Sequence, residues 1–307
     1  MPPWIIKAGI QGALSRLPDP QRFNRLFQKY VTRSLDLADD YFLYKWSQCD
    51  RQVRDYFRLR PDADPGFSVL ELGTGWFPIT PIGYALNGAR RAYSIDMQDL
   101  LAHESVVDTL RAYARMLDDG RIEVRDPTAR DRLRGVLNQA HRLSARELLD
   151  AIGVEAVIAD ARRSGLPDRS VDLIGSNNTL EHIPREVIEG IFVEFERLLS
   201  EGGLMVHFID MADHYANFDH GISDYNFLKF SDRAWSLFNN DLQYLNRLRV
   251  SDFREIHAAA GFRLLEEVNT GDESLLDGIT LAPEFQHYAR ADLVPVTTWM
   301  VSEAAAT

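Results

Sequence analysis

The sequence predicts an α/β fold: a mostly parallel sheet with helices on both faces. Three observations carry this reading. Apolar runs of strand length alternate with longer segments of helical periodicity. The first run ends in a glycine turn, "VLELGTGWFP", which leads into another apolar stretch. Polar residues close four successive runs, at the strand ends where such sheets bind ligands.

The elements follow in order. Residues 1–60 read as helical: "QRFNRLFQKYV" puts Phe23, Leu26, Phe27 and Tyr30 at helical spacing, and "DYFLYKWSQCDRQVRDYF" continues the pattern. The Pro- and Asp-rich "RPDADPG", 60–66, breaks it. The chain therefore divides into a helical N-terminal cap segment, 1–64, and an α/β domain, 65–307. In that domain "FSVLEL", "RAYSID", "VEAVIAD", "SVDLIGSN" and "LMVHFID" read as five strands. A helix starts at about Pro78 and ends before "NGA". Residues 99–150 form a mostly helical insertion. "REVIEGIFVEFERLLS" is an amphipathic helix expected to stop at "EGG". Residues 211–250 are irregular and aromatic, an expected substrate cap. "SDFREIHAAAGF" reads as a further helix, and "RLLEEV" and "VPVTTWMVS" as two last strands.

Charge and cysteine usage narrow the classes. A net charge of -12 over 307 residues argues against a nucleic-acid binder, because phosphate contacts need clustered Lys and Arg. Within residues 1–35, however, Lys7, Arg16, Arg22, Arg25, Lys29 and Arg33 face only Asp19. This basic segment either packs on the acidic body or makes peripheral contact with a membrane or a lipid-linked substrate. Cys49 is the sole cysteine, so no intramolecular disulfide forms, which suits a reducing, cytoplasmic compartment. No apolar run is long enough to span a bilayer, and the N-terminus reads poorly as a signal peptide.

The glycine turn points to a cofactor. Gly73 and Gly75 let the backbone approach a ligand closely. A dinucleotide fingerprint would need a third glycine where Pro78 stands. Glu71 would repel a pyrophosphate but suits an ammonium group, as in the amino-acid end of S-adenosylmethionine. Asp96 follows about 20 residues later, the spacing of a ribose-binding acid. Asp160 could accept from an adenine amino group. Asn177 and Asn178 close the fourth strand.

On these residues the sequence resembles the class I S-adenosylmethionine-dependent methyltransferases, type 11-like, over roughly 67–210. "VLELGTG" resembles their cofactor turn, "SIDM" their ribose-binding acid and "IADARRSGLPDRSVDLI" their adenine-side segment. "NNTLEHIP" and "LLSEGGLMV" resemble the fourth-strand exit and the fifth-strand entry. The resemblance implies a Rossmann-like seven-stranded sheet whose last strand is antiparallel. It also implies that Glu71, Gly73, Thr74, Gly75, Asp96, Met97, Asp160, Ala161, Asn177 and Asn178 hold the cofactor. The chain departs at Phe77, where the usual turn has a third glycine, so "WFP" reshapes the methionine end.

Methyl transfer needs an aligned nucleophile and, for a hydroxyl acceptor, a proton acceptor. Candidates are His182, and His207, Asp210, Asp213, His214, Asp219 and His220 in "VHFIDMADHYANFDH". His182, Asp210 and His214 are selected, the latter two as the most exposed to the pocket. Ordinary hydrogen bonding and capping compete with that role. A divalent metal bound by Asp and His is the third reading, but no His pair at i, i+4 and no cysteine pattern supports a tight site, and none is expected. The cap carries Tyr215, Phe218, Tyr225, Phe227, Phe230, Trp235, Phe238 and Tyr244 among Asp, Asn and Arg. Such a set either stacks on sugars or makes its own small core. The segment also resembles methyltransferases associated with bacterial glycan or polysaccharide assembly. The expected reaction is O-methylation of a sugar hydroxyl on a glycan, glycolipid or glycosylated small molecule. Alternatives are methylation of a carboxylate, amine or phenol, an NAD-dependent oxidoreductase, and a non-catalytic cofactor-binding module.

Overall fold

The computed structural model describes residues 3–14, 37–240, 242 and 244–305. The helix expected around Phe23 to Tyr30, and most of the basic N-terminal segment, lie outside them. Among the described residues no helix is long and apolar enough to cross a membrane.

Helices α1 (Pro3–Leu14) and α2 (Asp39–Leu59) precede strand β1 (Ser68–Leu72). Helix α3 (Ile79–Leu86) leads to β2 (Arg91–Asp96). Helices α4 (His103–Asp118), α5 (Ala129–Leu137) and α6 (Ala145–Ile152) fill the predicted insertion before β3 (Val154–Ile158). Then come β4 (Val171–Asn177), α7 (Arg185–Leu198), β5 (Leu199–Asp210), α8 (Val250–Ala259), β6 (Phe262–Thr270) and β7 (Thr297–Ala304). The strand order is β3-β2-β1-β4-β5-β7-β6. Strands β1 to β5 are parallel, and β7 enters between β5 and β6, antiparallel to both. This is the Rossmann-like sheet that the resemblance implied.

Local chemistry sets the boundaries. Ser144 and Glu147 form a capping box at the start of α6, and Gly153 ends it in the left-handed region. Helix α7 does not run to "EGG". It ends at Leu198, Leu199 is already extended, and Gly202 and Gly203 lie within β5. A register shift between Val171 and Leu173 on β4 accommodates the early start.

Alternation along the strands builds two cores. Val69, Ala92, Val154, Leu173 and Val206 face α2 through α6. Leu70, Ile95, Ile174 and Met205 face α7 and α8. Helix α2 presents Phe42, Trp46, Cys49, Val53 and Tyr56 as a buried stripe and lies directly on the sheet.

A third core lies in the cap. Trp4 of α1 packs against Tyr215, Phe230 and Phe238, with ring centroids 4.9 to 5.8 Å apart. Tyr215, Tyr225, Phe227 and Trp235 are buried in it. The aromatics expected to stack on a sugar therefore make the cap's own core, because Trp4 arrives from the other end of the chain to complete it. Phe218, half exposed, and Tyr244 are the exceptions. Buried Arg249 fastens the cap to the sheet. It donates to the carbonyls of Met211 (2.9 Å), Leu293 (3.0 Å) and Pro295.

Candidate active site

Parallel strands β1 to β4 end on one side of the sheet, around a cavity of about 480 Å³. That volume suits a small-molecule ligand. All ten residues expected to hold a cofactor line it: Glu71, Gly73, Thr74, Gly75, Asp96, Met97, Asp160, Ala161, Asn177 and Asn178.

The two glycines of the turn differ. Gly73 has φ +88°, and a Cβ there would come within 2.5 Å of Thr179 Oγ1. Its need is packing against Thr179. Gly75 has φ +67°, with nothing within 4 Å of a Cβ position. Both glycines line the cavity, and Gly75 alone has open space where a Cβ would stand. Trp76 and Phe77 line the same wall, as the bulk of "WFP" suggested.

Three carboxylates meet the cavity in different states. Glu71 is buried, and burial raises it to about 8, against hydrogen bonds from Ser94 (Oγ to Oε2, 2.9 Å) and Thr80. Burial also raises Asp96, although the amides of Gln98 (3.0 Å) and Gly75 (3.3 Å) donate to its carboxylate. Asp160 is instead held down to about 2 by the Arg162 side chain, whose Nη2 donates to Oδ2 at 2.6 Å. Asp160 also accepts from the Arg162 amide at 3.0 Å. It is therefore a charged cap that Arg162 already engages.

Asn178 sits at φ +54°, a conformation that Asn tolerates. Its Oδ1 accepts from Lys45 Nζ (2.9 Å), Gln48 Nε2 (3.3 Å) and Tyr44 Oη (3.4 Å). Asn177 Nδ2 donates to Gln52 Oε1 (3.2 Å), while its Oδ1 is buried with no protein partner among the described residues. The asparagines thus clamp α2 over the strand ends. Tyr41 and Lys45 of that helix line the cavity, residues that sequence reasoning missed. The signal was present: Tyr41, Lys45, Gln48 and Gln52 follow helical spacing beside the apolar stripe.

The acceptor-side candidates sort differently from expectation. His182 lines the cavity, whereas Asp210 and His214 lie behind it, with side chains only 22% and 15% exposed. They form an ion pair at 3.5 Å, and the His182 and His214 rings meet at 5.0 Å. Burial opposes both charges, yet Asp210 raises His214 and His214 lowers Asp210. His182 Nδ1 donates to the Tyr244 carbonyl at 2.7 Å, which leaves Nε2 as the acceptor. Burial and then the charge of His214 lower His182 to about 4. The other candidates are structural. His207 is buried, bonded to Ser176 (2.8 Å) and stacked on Phe192. Asp213 accepts from the Tyr215 amide and from Asn226. Asp219 accepts from the Trp4 amide, and His220 is an exposed loop residue.

Comparison with known proteins follows this geometry. A family model described as "Methyltransferase domain" matches residues 109–207. No curated protein matches the chain. Among solved structures, a protein from Pyrococcus horikoshii OT3 is 12% identical, covering 92% of this chain and 98% of its own, with TM-score 0.49. A SAM-dependent methyltransferase from Methanosarcina mazei is 12% identical, covering 81% and 98%, with TM-score 0.45. Geranyl diphosphate C-methyltransferase from Streptomyces coelicolor, solved with Mg2+, geranyl diphosphate and S-adenosyl-L-homocysteine, is 11% identical. It covers 83% of this chain and 79% of its own, with TM-score 0.43. The methyltransferase-domain match over 109–207, on this sheet, identifies S-adenosylmethionine as the cofactor.

Proposed function

We propose that this chain transfers the methyl group of S-adenosylmethionine to a hydroxyl oxygen, and that a sugar hydroxyl is the acceptor class. One observation carries the reading. A single cavity is lined by an ammonium-compatible carboxyl, a ribose-compatible carboxyl, an open glycine turn and the His182 ring. The sugar assignment rests on the polar lining from Tyr41, Lys45 and His182, since most of the cap aromatics are used internally.

In this reading the cofactor supplies the activated methyl and the leaving group. Glu71 meets its ammonium and Asp96 its ribose hydroxyls. Helix α2 and the cap exclude water from the acceptor end. His182 Nε2 takes the hydroxyl proton as the oxygen attacks; a C–O bond forms, the C–S bond breaks, and a neutral thioether leaves. The Tyr244 carbonyl keeps the ring in the required tautomer.

Methyl-labelled cofactor, offered with a panel of sugars, polyols, phenols, amines and carboxylates, tests this directly. Label is expected on oxygen as an alkali-stable ether. Label on nitrogen, or as an alkali-labile ester, contradicts the hydroxyl assignment.

Glu71 gives a second test. At about 8, it is mostly protonated at neutral pH in the free protein, and a bound ammonium favours the carboxylate. Binding therefore releases a proton. Affinity for S-adenosylhomocysteine rises with pH up to about 8, by at most about tenfold per pH unit for one proton, and then levels. Calorimetry in buffers of different ionisation enthalpy measures the release, and Glu71→Gln should abolish it.

A further inference from the structure

Beside the cavity lies a buried acid that the reaction above does not use. Glu181 is 2% exposed, and neither of its carboxyl oxygens has a hydrogen-bond partner among the described residues. Leaving both oxygens of a buried carboxyl unmatched is costly unless a cation or proton stands there. Two imidazoles border it. One ligand atom each from Glu181, His182 and His214 lies within 4.8 Å of the others. Asp210 stands 3.5 Å from His214 Nε2 as a fourth potential donor, through oxygen.

The topology explains the meeting. Glu181 and His182 sit in the single turn Leu180–His182 that follows β4, and Asp210 ends β5, the next strand in the sheet. His214 follows four residues later. Two adjacent parallel strands thus bring three donors together, with Asp210 beside His214, a pattern that no spacing within either segment reveals. His182 is also oriented as metal-binding imidazoles are: Nδ1 is fixed on a backbone carbonyl, and Nε2 is left with its lone pair.

We infer that Glu181, His182 and His214, with Asp210 adjacent, form a site for a first-row divalent transition ion at the acceptor end of the cavity. Two imidazoles with carboxylates select manganese, iron, cobalt or zinc over magnesium and calcium, which prefer all-oxygen shells. Donors around such an ion at about 2.1 Å stand at most about 4.2 Å apart. In a tetrahedral shell they stand about 3.4 Å apart, so the cluster draws together on binding. His182 is the ligand that also lines the cavity, so an acceptor oxygen would reach the ion from that side.

What the ion does rests on the methyltransfer reading. With the ion present, His182 is a ligand instead of the base. The bound hydroxyl is acidified, as bound water is, and gives its proton to the Asp210 carboxylate beside the site. The oxygen then takes the methyl as the C–S bond breaks.

The test uses the untagged full chain, freed of metal by a chelator and titrated calorimetrically with Mn2+, Co2+ or Zn2+ alone. One equivalent is expected to bind, with cobalt giving the visible absorption of a nitrogen–oxygen site. Glu181→Gln and His214→Ala should each weaken binding by about tenfold or more. The surface variant His220→Ala should leave it unchanged. Circular dichroism and melting of each variant identify any that fail to fold, and the wild-type titration stands without them. Absence of stoichiometric binding to the wild type, or binding that survives in both folded site variants, overturns the site. S-adenosylhomocysteine binding is measured on the same metal-free protein. If it persists where metal binding fails, the metal site falls alone; if it is also absent, the methyltransfer reading falls separately.

Discussion

Asp96→Ala is expected to weaken S-adenosylhomocysteine binding by about ten- to a hundredfold, the cost of hydrogen bonds between ribose hydroxyls and a charged acceptor. The residue ends β2, lines the cavity and is buried enough that its charge is opposed by its surroundings. The Gly75 and Gln98 amides hold the carboxylate in place. The substitution therefore removes the ribose contact and also loosens the glycine turn beside it. Asp96→Asn keeps one acceptor oxygen and should fall between wild type and alanine. Calorimetric titration of the three proteins measures the series, with melting temperatures checking the fold. Unchanged affinity in the alanine variant would show that the ribose lies elsewhere.

Arg249→Ala is expected to destabilise the protein by about 3–5 kcal/mol, the range for removing one partner from a buried charged network. The side chain is fully buried, and burial lowers it to about 10, so it stays protonated at neutral pH. Its donors close three carbonyls on two segments: Met211, just after β5, and Leu293 and Pro295, just before β7. Without them those carbonyls are stranded in the interior. The consequence reaches the site, because Met211 follows Asp210 directly and leads to His214. Urea unfolding should show a lower midpoint with a similar slope. A loss under about 1 kcal/mol would mean that water or repacking satisfies the carbonyls.

Much of this was legible in the chain. Strand-length runs punctuated by Gly, Pro and Asn gave the order of the elements, because local periodicity and turn chemistry agreed with the final packing. The residues that line the cavity were legible for a related reason. Parallel strands bring their carboxyl ends together, so Glu71, Asp96, Asp160 and Asn177 had to converge once the strands were recognised.

The parts that failed depend on long-range contact. Tyr41 and Lys45 reach the cavity only because α2 folds back over β4, and no motif marks that docking. Glu181 stood in plain view within "LEHIP", but its partners come from the neighbouring strand. The cap aromatics read equally well as a stacking platform or a core, and the arrival of Trp4 decided for the core. The engagement of Asp160 by Arg162 was not legible, because the reach of Arg162, two residues on, is not fixed by sequence.

The central claim is that the cavity at the ends of β1 to β4 holds S-adenosylmethionine. It is tested most directly by calorimetric titration of the protein with S-adenosylhomocysteine, in parallel with NADH. The account predicts saturable one-to-one binding of S-adenosylhomocysteine and none of NADH. Binding of NADH alone would contradict it, and would show that the turn without its third glycine still cradles a dinucleotide.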